Sequence, residues 1–89
     1  MTAPAELDER LGTARNTLHT LRRTVLELAR EYQALTAVDL DADTLGHPIT
    51  AAEALHAARD ALADVERALA MADDAADIAQ RYTSRLKER

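Results

Sequence analysis

The chain has no cysteine, phenylalanine or tryptophan, and only two glycines and two prolines in 89 residues. Without cysteine there is no disulfide staple and no thiol nucleophile. Tyr32 and Tyr82 are the sole aromatics. Any core must therefore rest on aliphatic side chains, and alanine supplies much of the 47% hydrophobic content. So little glycine leaves no phosphate-cradling loop, and no strand pattern is there to carry one. No stretch of about 18 apolar residues occurs, so no membrane span is expected. The opening residues, Met1-Thr2-Ala3-Pro4-Ala5-Glu6, lack the basic start and apolar segment of a secretory leader, and the expected location is cytoplasmic. Positive charge is also short, with 11 basic against 16 acidic residues and a net charge of −5. Phosphate neutralisation and anionic lipid both need a basic face, so neither nucleic acid nor a membrane surface is an expected partner.

What is present is a period. Leu7, Leu11, Ala14, Leu18, Leu21, Val25, Leu28, Tyr32 and Leu35 follow one another at alternating steps of four and three, the heptad pattern of a coiled coil. The spacing predicts a helix over about 4–37, a rod of about 50 Å. Thr2 is placed to cap it, Pro4 fits its first turn, and Glu6, Asp8 and Glu9 suit the positive end of its dipole. Gly12 falls off the seam and reads as a tolerated surface glycine.

The period breaks over 38–49, where Asp39, Asp41 and Asp43 alternate with apolar residues before Gly46 and Pro48. Leu40 and Leu45 are expected to fold back over the end of the seam. Thr50-Ala51-Ala52-Glu53 is a capping box that starts a second helix, expected over about 50–88. Its main stripe runs through Leu55, Leu62 and Leu69. Beside it lies a second row, Ala54, Ala57, Ala61, Ala68 and Ala75, and near the end come Met71, Ile78 and Tyr82.

Two long amphipathic helices joined by a short loop are antiparallel neighbours. The fold class is therefore all-α, a single domain over 1–89 forming a two-helix antiparallel coiled-coil hairpin. With the loop centred near Asp43, residues whose numbers sum to about 87 should lie level. Arg15 then meets Asp73 and Asp74, Arg22 and Arg23 meet Asp64 and Glu66, and Arg10 meets Asp77. Such pairs select register and direction more than they stabilise. One hairpin covers one stripe per helix, and a scaffold this small sits near break-even at roughly 1.5 kcal/mol of entropy per ordered residue. Oligomerisation into a four-helix bundle, or a partner helix, would cover the rest. Leu26, Ala54, Ala61, Ala68, Met71, Ala75, Ile78 and Tyr82 are the expected association surface, and the partner is a protein or a second copy.

Two patterns bear on metals. Asp39, Asp41 and Asp43 match the start of a calcium loop, but Thr44 and Thr50 stand where that loop needs Gly and Glu. Glu53 and His56 form a Glu-x-x-His pair, with Glu27, Glu31 and Asp60 at the same end, the spacing of ferritin-like di-iron hairpins. Both patterns are common by chance in charged helices and loops, and no metal or cofactor is expected. Ser84 is the only serine, and His19, His47 and His56 have no relay partner that the sequence reveals, so the chain is not expected to be an enzyme.

In length, hairpin form and mid-chain turn, the chain resembles the WXG100 proteins, small partners secreted by type VII systems. Where that family has Trp-x-Gly this chain has Thr44-Leu45-Gly46, and Tyr82 is followed at Leu86 by no acid of the Tyr-x-x-x-Asp/Glu signal. The resemblance implies an exported hairpin partner protein, and it carries over no functional residue. The primary expectation is a non-catalytic helical-hairpin interaction or assembly module.

Overall fold

A computed structural model describes residues 2–42 and 48–89. The expected positions of Asp43, Leu45 and the Thr44-Leu45-Gly46 turn, together with His47, lie outside the described residues. Helix α1 (Pro4–Ala34) and helix α2 (Ala51–Thr83) pack against each other, and a 3₁₀ turn, Ala37–Asp39, rests on α2. The helices run antiparallel: Asp8 meets Thr83 at the open end, and Tyr32 meets Arg59 near the loop.

α1 starts without a side-chain cap. Ala3, not Thr2, is the N-cap residue, with extended φ −66° and ψ 144°. Pro4 presets the helical φ, and Glu6 faces the dipole. α1 ends at Ala34, three residues earlier than expected. Arg59 explains the stop, because its guanidinium donates to the carbonyls of Tyr32, Gln33 and Leu35 at 3.0, 3.2 and 2.6 Å. Carbonyls that would otherwise wait for the next turn's amides are served from α2 instead.

α2 starts as the capping box predicts: the Glu53 amide donates to the Thr50 hydroxyl at 3.1 Å. It ends at Thr83 and not near 88. Thr83, through its bond to Asp8 at 2.6 Å, makes the last hydrogen bond to α1, and Arg81 and Arg85 would stack like charges in a longer helix. The chain closes in tight turns, with Arg85 N–H donating to the Tyr82 carbonyl at 3.0 Å.

The register also differs from expectation. His19 pairs with Asp73, Arg15 with Asp77, and Asp8 with Thr83, so level residues sum to about 92, not 87. The first two turns of α2 overhang the end of α1. The segment after Leu35 climbs over them, leaving Leu55 buried and Ala37 half-buried.

The molecule is a rod of 64 × 25 × 15 Å with a radius of gyration of 19.5 Å. A compact chain of this length would have about 12 Å. Among the described residues only Val25 and Leu55 are buried. The heptad seam is not the inner half of the hairpin. Leu11, Leu18 and Val25 face α2, but Leu7, Leu21, Leu28, Tyr32 and Leu35 are 40–49% exposed. Arg15 and Arg22 share the inner row with Leu11, Leu18 and Val25. Turning them onto Asp73 rotates half of the seam out of the contact.

Candidate interaction face

One long side of the hairpin is polar. Asp73 is its hub: one carboxylate oxygen accepts from His19 Nε2 at 2.7 Å, and the other accepts from Arg22 at 2.9 Å. Arg15 stands 3.8 Å away and reaches Asp77 at 3.5 Å and the Gln80 amide oxygen at 2.7 Å. Burial raises the pKa of Asp73. The His19 hydrogen bond and the charges of His19, Arg22 and Arg15 outweigh this, so the net shift is below the ordinary aspartate value. His19 had no partner legible from spacing, because the expected register set Arg15, not His19, level with Asp73. Gly12 is likewise not a free surface position. It is half-buried, and a Cβ there would stand 3.2 Å from the Gln80 amide nitrogen, so the missing side chain leaves room for the Arg15–Gln80 bond. A shallow groove of about 470 Å³ lies on this side among His19, Arg22, Leu26, Glu66 and Asp73.

The opposite side is apolar. On α1 the row Leu7, Ala14, Leu21, Leu28 and Leu35 lies roughly 80° around the helix from the inner row, away from His19. On α2 the row Ala61, Val65, Ala68, Ala72, Ala75, Ala79 and Tyr82 is displaced likewise, away from Asp73. The bonds from His19 and Arg22 to Asp73 bring the polar sides of both helices together. Both apolar rows therefore come out on the other face. Every residue of these two rows is exposed: Leu7 is 49%, Leu21 48% and Tyr82 66%. Threonines edge the face on α1. Their hydroxyls donate to carbonyls of their own helix, Thr17 to Thr13 at 3.2 Å and Thr24 to Thr20 at 3.1 Å.

Of the expected association residues, Ala61, Ala68, Ala75 and Tyr82 share this face, and half-buried Ala54 continues their row toward the loop. Exposed Met71 and Ile78 sit at its outer edge. Leu26 does not belong with them, since it lines the groove on the polar side. The α1 leucines of this face were not among the expected association residues. The seven-residue step from Leu7 to Leu35 was the available signal.

The metal candidates stay apart. His56 stands 3.3 Å from Asp60, and both are largely exposed. Asp39 accepts the Thr36 hydroxyl at 2.6 Å, while Glu31, Asp41 and Glu53 point to solvent. Among the described residues no three His, Asp or Glu side chains converge, and no helix is long and apolar enough to cross a membrane. No protein family matches the chain, and neither a curated protein nor a solved structure does.

Proposed function

We propose that this chain is a non-catalytic helical-hairpin module that works by covering its apolar face against another helical surface, its own or a partner protein's. A coiled-coil packing that completes a four-helix bundle is the simplest closed form. The observation that carries this reading is the placement of both exposed apolar rows on one side, opposite the polar network. Monomeric proteins rarely leave apolar patches above a few hundred Å² uncovered. The face here runs along most of a 64 Å rod. The alanines of α2 let a second backbone approach closely, and the α1 leucines supply the side chains that would interdigitate. Such a module fits a small subunit of a larger assembly or a small regulatory binder.

The test uses a photo-crosslinking residue placed in the native cells, in one strain at Ala68 and in another at Arg23 on the polar side. Protein adducts should form from position 68 and not from position 23. Equal adducts from both positions, or none from 68, would remove the reading.

A further inference from the structure

We infer that the occupant of the apolar face is a second copy of this chain, laid face to face with the loop of each hairpin at the open end of the other. The two-fold axis would cross the hairpin at the level of Leu21 and Ala72. This rests on the reading of the apolar face as an interaction surface and names its partner.

The exposed area is enough to seat a partner of this size. The chain exposes 7284 Å², where a compact protein of its mass exposes about 5,100 Å². The excess, about 2,200 Å², is more than twice the ~800 Å² that each side of a standard interface covers.

The spacing of the rows is also the same from both ends. Centred on Leu21, the α1 row sets Leu7 against Leu35 and Ala14 against Leu28 of the partner. Centred on Ala72, the α2 row sets Ala61 against Tyr82, Val65 against Ala79, and Ala68 against Ala75. In three of these pairs, Ala14 with Leu28, Ala61 with Tyr82 and Val65 with Ala79, a small side chain meets a larger one, as close packing needs. Leu21 and Ala72 are themselves level within the hairpin, where paired residues sum to about 92. Two rows on two helices therefore choose one axis independently.

The edge of the face agrees. Along α1 it reads Arg10, Thr17, Thr24, Glu31. Against its own reverse, Arg10 meets Glu31, and Thr17 meets Thr24. Among the described residues neither Arg10 nor Glu31 has an ion-pair partner within the chain. The threonine hydroxyls are already bonded to their own helix, so they can be covered without loss. With both loops at the same end, α1 would lie on α2 of the partner. Arg10 and Glu31 would then no longer face each other.

Sedimentation equilibrium of the purified protein at micromolar concentration should give twice 9.7 kDa. The absence of cysteine makes each introduced thiol unique. Ala72→Cys should cross-link to itself under mild oxidation, and a mixture of Thr17→Cys and Thr24→Cys chains should cross-link where either alone does not. Arg10→Glu should weaken the dimer roughly tenfold, and adding Glu31→Arg to the same chain should restore it. Circular dichroism would verify that each variant keeps its helices. A monomer at tens of micromolar would overturn the inference, as would a dimer in which Leu21→Cys links to Ala72→Cys and the Ala72 thiols do not meet. A monomer whose position 68 still captures another protein removes this dimer alone. A monomer that captures nothing removes the interaction reading as well.

Discussion

The guanidinium of Arg59, two turns into α2, donates to the Leu35 carbonyl at 2.6 Å, closing the end of α1 from across the hairpin. α1 has no basic residue in its own last turn, so this borrowed cation is also its dipole partner. Arg59→Ala should cost about 1–2 kcal/mol in urea unfolding followed by circular dichroism, the range for a lost cap with charged hydrogen bonds. An unchanged midpoint would mean that water serves these carbonyls equally well.

Asp73 sets an acid limit. Its pKa is lowered in the folded chain, so its contribution is present above the ordinary aspartate value of about 3.9 and is lost as pH falls through the lower folded value. Thermal melts between pH 7 and pH 2 should show wild-type stability falling on the acid side. Asp73→Asn should be less stable at pH 7 and flatter below pH 4. Parallel curves for the two proteins would show that Asp73 is not what titrates.

Gly12→Ala should stabilise the hairpin by up to about 1 kcal/mol, the helix-propensity difference. The new methyl would press only on the end of the Gln80 side chain, which is flexible and can give by a few tenths of an ångström. A lower melting temperature would show that the Arg15–Gln80 bond needs the glycine.

The helical hairpin was legible in the sequence because a heptad period, a capping box and a turn-rich gap are local signals, and each acts on its own neighbours. Register was not legible. It depends on how far α2 overhangs α1, which Arg59 and the segment after Leu35 determine through contacts distant in sequence. The face was half legible. The alanine row of α2 stood out because the Leu55–Leu62–Leu69 stripe already accounted for the hairpin contact. The leucine row of α1 was hidden for the opposite reason, since Leu11 and Leu18 sit in the same seam as Leu7 and Leu21. Period alone cannot say that a seam will be split between two surfaces. The split follows from Arg15 and Arg22 seeking Asp73, a pairing that sequence spacing placed for Arg15 but not for Arg22, which it set beside Asp64 and Glu66.

The line of contact between the helices changes character along its length. Toward the loop it is aliphatic, with Val25, Leu55, Leu62 and Leu69; toward the open end Leu11 is set among Asp8, Arg15, Asp77, Gln80 and Thr83. Polar contacts exchange readily with water and apolar ones do not, so the rod should breathe from one end. In hydrogen–deuterium exchange, amides of Leu7–Arg15 and Ala76–Thr83 should open together and first, while those around Val25 and Leu62 persist. The open end then behaves as a hinged tip whose spread is set by ionic strength, and the loop end as its fulcrum.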